Sequence, residues 1–222
     1  MPRSTVTPPS GQAGGPQAPP NDLPPPVWVT AEEREALLTL ARVALAAAVG
    51  AAPGPSLASA VGRHPGSGRR AAVFVTLTDD GELRGCIGHM DASSPVQESV
   101  VEATTWAALE DPRFSPVRAA ELPRLRLEVS VLGPLVPLAD PESFRLGIDG
   151  IVVERGGRRG LLLPEVATML ASDRTAMLDT ACRKAGLSQH AWREPGTRVF
   201  AFRTDRFGGA AVAGSVADEQ VD

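Results

Sequence analysis

The chain has 222 residues, 43% of them hydrophobic, and a formal net charge of −4, enough for one large domain or two small ones. The acidic balance argues against a general nucleic-acid binder, which normally carries a basic domain. Two cysteines far apart, with no Cys-x-x-Cys, point to a reduced cytoplasmic setting; no apolar run reaches membrane-spanning length and no apolar core follows the N-terminus as in a secretory signal.

Residues 1–26 are dense in proline, glycine, glutamine and serine. Such a segment buries too little apolar surface to offset its ordering entropy, which predicts a disordered, solvated tail. Thr30-Ala31-Glu32-Glu33 is a capping box that opens a helix to about Val49, with Leu37, Leu38, Ala41 and Leu45 at helical spacing and Gly50 as its stop. Residues 50–70, with His64, read as a surface loop.

Phe74 to Thr78 and Leu83 to His89 read as a hairpin around Asp79-Asp80-Gly81-Glu82, because an Asp-Gly step between β-rich runs supplies the positive φ of a tight turn. The second strand carries Leu83-Arg84-Gly85-Cys86-Ile87-Gly88. Alternation puts Arg84 and Cys86 on one face and Gly85 and Ile87 on the other. Glycine inside a strand marks a bulge or a close approach, so Gly85 and Gly88 open the thiol either to a small molecule or to another backbone. Arg84 beside Cys86 would lower the thiol pKa and hold an anion. The plainer reading is that a lone strand cysteine is a small core hydrophobe.

Ser94-Pro95-Val96-Gln97 then opens a helix, with Ser94 as N-cap and Gln97 reaching back, and Asp111 to Pro116 ends it. Asp111 and Arg113 are either a local salt bridge or part of an anion site. In Leu125 to Val131 apolar residues alternate with Arg126, Glu128 and Ser130, which predicts a half-buried strand with Glu128 as a cross-strand partner for a basic residue. Ile151 to Arg155 and Arg159 to Leu163 form a second hairpin around Gly156-Gly157. Short helices follow from Pro164 and from Arg174 to Ala185, the latter burying Cys182. Thr197 to Arg203 is the last strand, and a disordered tail is expected over 208–222.

The order of elements predicts an α+β fold: two packed units, about 71–132 and 150–203, each with a small antiparallel sheet flanked by helices, inside one domain over 27–207 with an N-terminal helix at 30–50. A cleft between such units is a common place for a site. The three histidines form no metal-ligand spacing, and Walker-type and dinucleotide-binding loops are missing from the sequence, so neither metal nor cofactor is expected. Strand parity opposes a Cys86–His89 dyad.

Taken together, several of these stretches resemble the AMMECR domain, also called AmmeMemoRadiSam system protein A. They are Phe74 to Leu77 with the hexapeptide Leu83–Gly88, Asp111 to Pro116, Glu121-Leu122-Pro123, Leu127 to Leu132, Gly147 to Ile151, Leu162 to Ala167, and Cys182 to Leu187 with Trp192. The resemblance spans roughly residues 30–207. It implies a two-part α+β fold with a cleft near the hexapeptide and an association with Memo-like and radical-SAM proteins, but no established reaction. His89 stands where the family usually has a small hydroxyl residue, and Asp149 where many members have histidine.

Three readings compete. In an enzyme-like one, Cys86 is a thiol nucleophile or acceptor, Arg84 holds an anion, and Asp149, Glu128 or Glu165 supplies a carboxylate. It predicts an exposed, acidified Cys86. A non-catalytic module predicts a buried, inert Cys86 and an exposed apolar patch elsewhere that docks a partner. A ligand-binding protein predicts Arg84 and Arg113 converging on a small anion, with no membrane or nucleic-acid contact in any of the three.

Overall fold

The computed structural model describes residues 29–51, 68–171 and 173–212. The Pro-rich segment, His64 and most of the tail expected over 208–222 lie outside them. Helix α1 (Ala31–Ala48) starts as expected: Thr30 accepts from the Glu33 N–H, and Glu33 reaches back to the Thr30 N–H at 2.7 Å. Strands β1 (Val73–Asp79) and β2 (Glu82–Gly88) form the first hairpin. Its two linking residues, Asp80 and Gly81, both have positive φ (50° and 86°), the twist that a two-residue turn needs.

Helix α2 (Val96–Leu109) follows, then β3 (Leu125–Leu132), the short β4 (Val136–Pro137), the hairpin β5 (Gly150–Arg155) and β6 (Arg158–Leu162), α3 (Val166–Met169), α4 (Arg174–Lys184), β7 (Arg198–Phe202) and β8 (Thr204–Ala210). Two four-stranded antiparallel sheets result, in the orders β2-β1-β3-β8 and β4-β7-β5-β6. The expected α+β pair of units is therefore present, but the chain crosses between them. The second sheet takes β4 from the segment after β3, and the first takes back β8 from the C-terminal end.

That last strand corrects the sequence reading. Gly208 to Ala210 complete β8 against β3, and Ala211 is buried in the first core. Small residues looked like tail because their burial comes from pairing with β3, which local composition does not encode. The start of α2 is a second correction. Pro95 is the N-cap, Ser94 makes no cap, and Gln97 is buried with its Oε1 unbonded rather than reaching back.

The first core lies between α1, α2 and the inner face of the first sheet, where Val73, Val75, Leu77, Leu127 and Val129 are closed to water. The second lies between α4 and the second sheet, with Cys182 and Trp192 inside it. A third apolar cluster joins the units, Ala72 and Leu132 meeting Val152, Leu161 and Phe202. Burial of such surface, at roughly 25 cal/mol per Å², holds the two sheets face to face. No helix among the described residues is long and apolar enough to cross a membrane.

One device recurs in both units. A Cβ on Gly85 of β2 would sit 2.1 Å from the Ala107 carbonyl oxygen of α2, and a Cβ on Gly160 of β6 would sit 2.1 Å from the Ala181 carbonyl oxygen of α4. Each glycine lets a helix lie directly on an outer strand. Of the two uses foreseen for the glycines around Cys86, the close approach of another backbone is the one present. Gly88 likewise allows a close approach, here of the neighbouring strand: a Cβ on it would sit 2.2 Å from the Val73 carbonyl oxygen of β1.

Candidate functional site

Across the first sheet, Cys86 on β2 lies opposite Thr76 on β1, which lies opposite Glu128 on β3, which lies opposite Gly208 on β8. Residues opposed in this way share a face. Their neighbours Val75, Leu77, Leu127 and Val129 fill the first core, so the Cys86–Thr76–Glu128 row looks the other way, toward the second unit. Thr76 Oγ1 donates to Cys86 Sγ at 3.4 Å.

Strand β2 is at the edge of its sheet, where backbone groups lack a ladder partner. At Cys86 two side chains from the loop after α2 stand in for one. Asp111 Oδ2 accepts from the Cys86 N–H at 2.8 Å, and Arg113 Nη2 donates to the Cys86 carbonyl at 3.3 Å. Arg113 also binds Asp111, at 2.6 Å. Asp111 and Arg113 thus form the local salt bridge weighed from the sequence, with a second duty as clamp on the edge strand. The arginine's hydrogen bonds hold the Asp111 carboxyl well below the usual carboxylate range, with those from the Cys86 and Arg113 N–H groups adding to the effect.

Arg84 does not play the part given to it. Opposite Leu77 and Thr78 stand Gly85 and Leu83, so Arg84 is the extra residue of a β-bulge. The bulge breaks the strict alternation on which its partnership with Cys86 depended. Its guanidinium is taken by Glu121, at 2.9 Å. The positive field at the thiol comes instead from Arg113 and from Lys184 at the end of α4.

Nor is the thiol acidified. Burial pushes the Cys86 pKa up; the Thr76 hydrogen bond, Arg113 and Lys184 oppose this, and Glu165 adds to it. Cys86 is half-buried, whereas Cys182 is closed to water. Lys184 is pushed the opposite way: partial desolvation of its amine and the nearby Arg113 lower its pKa against the pull of Cys86, although the residue as a whole is exposed to solvent. Glu128 is raised, first by burial and then by Glu165, against the pull of Arg206. The three groups are all biased toward their neutral forms.

Glu128 finds its basic partner on β8: Arg206, opposite Ser130, reaches it diagonally at 2.8 Å and lies 3.7 Å from Glu165 just before α3. Asp149 is elsewhere. Its side chain is 2% exposed, accepts from the Arg145 N–H at 2.8 Å, and is paired with Arg145 at 3.0 Å and Arg203 at 2.7 Å. It pins the turn before β5. His89 turns to Glu102, at 3.0 Å, and to the Trp106 ring, so no Cys86–His89 dyad forms. Of the remaining motif residues, Leu83 is exposed and Ile87 packs on the first core.

Thr76, Lys184 and Arg206 are members of the site that the sequence reading did not single out. Lys184 lay inside Cys182 to Leu187, a stretch noted for its resemblance, but nothing in its spacing ties it to Cys86. None of these side chains lines the 730 Å³ cavity at the junction of the units. Among the described residues, no three His, Cys, Asp or Glu side chains gather as a metal set.

A family model, AMMECR1, matches residues 38–207. A protein of Methanothermobacter thermautotrophicus is 46% identical over 145 residues, covering 63% of this chain and 76% of its own. One of Methanosarcina acetivorans is 38% identical over 176 residues, covering 77% and 87%. The crystal structure of the uncharacterized protein PH0010 from Pyrococcus horikoshii superposes with a TM-score of 0.72 at 32% identity, over 82% of this chain and 93% of that one.

Proposed function

The chain belongs to the AMMECR1 family, and from that premise we propose that it is a group-transfer protein in which Cys86 accepts an electrophilic carbon group, with Lys184 as proton carrier. The observation that carries the proposal is the row Cys86–Thr76–Glu128 across the first sheet, in which Thr76 donates to the thiol, met by the charge of Lys184 from the second unit; the pKa values of Cys86, Lys184 and Glu128 are displaced in keeping with it. Perturbed groups gathered in this way are a mark of functional sites. An amine with a lowered pKa beside a protonated thiol is placed to take the thiol proton.

In the proposed step the Cys86 thiol gives its proton to the Lys184 amine. Sγ bonds to the carbonyl carbon of an acyl donor, and the leaving group departs with the proton from the ammonium. Thiol plus acyl donor becomes thioester plus protonated leaving group, with no redox change. Arg206, already between Glu128 and Glu165, keeps those carboxylates from repelling one another. Memo-like and radical-SAM proteins are the proposed company of this step, as donors or acceptors of the group.

A second reading rests on Gly85 and Gly88, whose contacts are backbone packing. In that reading Cys86 is a small filler, and the polar face docks a partner without chemistry. Alkylation by iodoacetamide as a function of pH, read by mass spectrometry, separates the two. The group-transfer reading expects Cys86 to be modified in the folded chain, with an apparent pKa above that of an ordinary thiol, while Cys182 stays unmodified. It also expects Lys184→Met to slow Cys86 and leave Cys182 unchanged. A Cys86 as inert as Cys182 until unfolding would overturn it in favour of the second reading.

A further inference from the structure

The 730 Å³ cavity lies where the units meet, at a different place from the Cys86 row. Its floor is the apolar cluster that joins the two sheets: Ala72 and Leu132 from one side, Val152 and Leu161 from the other. Leu135, on the crossing segment between β3 and β4, closes one wall. The floor residues are themselves well covered, so the room for an occupant lies between floor and rim. A cavity of this size with walls of this kind is within the ordinary range for small-molecule sites, about 300–1,000 Å³.

The rim carries three arginines and one carboxylate, Asp91, and the arginines are not equivalent. Arg69 is paired with Glu33 at 3.1 Å. Arg159 is bonded to Glu154 at 2.5 Å and lies 3.7 Å from Asp91. Arg70 lines the same cavity, and its guanidinium has neither hydrogen bond nor ion pair among the described residues. Its backbone is fixed by a bridge to Pro95, and that of Arg69 by accepting from the Val96 N–H at 2.8 Å. A guanidinium on a fixed backbone at the edge of an apolar floor, with no partner among the described residues, can supply one half of a bidentate ion pair.

We infer that this cavity binds an amphipathic organic anion, with its apolar body on the floor between the two sheets and a single carboxylate on Arg70. The charge complement sets the class: Arg69 is held by Glu33 and Arg159 by Glu154 and Asp91, so among the described groups on the rim the charge left to offer a ligand is the cation of Arg70, which an anion matches and an organic cation does not. The floor offers no second polar group to bind a hydroxyl-rich sugar or a base edge. The occupant would bridge both units at their apolar seam and so resist their separation.

The test is titration calorimetry of the full chain with dodecanoate, and with dodecanol and dodecyltrimethylammonium as neutral and cationic counterparts. The expected result is one-to-one binding of dodecanoate that the other two do not match. Arg70→Met, at an exposed position where folding is not at stake, weakens it by about tenfold, the scale of a charge-assisted hydrogen-bonded pair. Ala72→Leu, which fills part of the floor, weakens it too, with the midpoint of thermal unfolding recorded to confirm the fold. Cys86→Ser leaves it unchanged, since Cys86 does not line the cavity. Absence of heat with dodecanoate, equal affinity for all three amphiphiles, or equal affinity of wild type and Arg70→Met would each overturn the inference.

Discussion

Thr76 donates its hydroxyl hydrogen to the sulfur of Cys86 at 3.4 Å, directly across the β1–β2 pair. Both the N–H and the carbonyl of Cys86 point outward to Asp111 and Arg113. The pair is therefore of the kind that exchanges no ladder bonds, in which opposite side chains come closest. Geometry forced by the ladder places a donor on the thiol.

The first expectation follows from that contact. The Thr76 bond lowers a thiol pKa that burial has raised. Thr76→Val keeps the shape and removes the donor, so the pKa rises further and the thiolate fraction at fixed pH falls. A hydrogen bond is worth about 0.5–1.5 kcal/mol net, which corresponds to roughly 2- to 10-fold slower alkylation of Cys86 near pH 8.5. An unchanged rate would show that the contact carries no energy.

The Asp111 clamp makes stability depend on acid. Its folded pKa is depressed, so its contribution is present in full above the unfolded value of about 3.9 and is lost as pH falls below that, through the folded value. Asp111→Asn should cost about 1–3 kcal/mol at pH 7, because the Cys86 N–H and Arg113 lose a charged acceptor. In urea denaturation the gap between wild type and variant should narrow steadily as the pH is taken below about 4. A gap that stays constant would place the cost in shape rather than charge.

Arg84 should separate stability from reactivity. Its pair with Glu121 is largely buried, with side chains 15% and 10% exposed. Arg84→Met should destabilise by about 1–3 kcal/mol, less than a fully buried pair because water and Arg118 still reach Glu121. The Cys86 alkylation profile should not move. If it shifts upward in pH as far as that of Lys184→Met, Arg84 supplies the field after all. Asp149→Asn, bound up with Arg145 and Arg203, should likewise lower stability and leave Cys86 alone.

The two strand glycines should behave as a pair. Gly85→Ala and Gly160→Ala each place a methyl group 2.1 Å from a helix carbonyl, a clash that only a shift of α2 or α4 relieves. Overpacking of this kind costs about 1–3 kcal/mol or more. Both should lower the thermal midpoint by several degrees, while Gly156→Ala, in open space, is strained only by its positive φ of 57°. Loss of less than about 0.5 kcal/mol at Gly85 would mean the helix sits higher on the sheet.

The local elements were legible in the order of residues. The capping box at Thr30, the Asp-Gly turn at Gly81, the alternation through Leu125 to Val131 and the Gly156-Gly157 hairpin each act within a few residues, and each is found where it was read. The run Leu83–Gly88 also carried the family resemblance, because a motif is a string of neighbours. What the string did not carry was who meets whom. A one-residue bulge redirected Arg84 from Cys86 to Glu121. Pairing with β3 drew Gly208 to Ala210 into a strand. Packing of α4 brought Lys184 to Cys86, and two arginines closed over Asp149. These are long-range contacts, each decided by sheet register and by the seam between the units. Local propensity reports what a segment can form, whereas the charge at a thiol depends on the side chains that packing brings to it from distant parts of the chain.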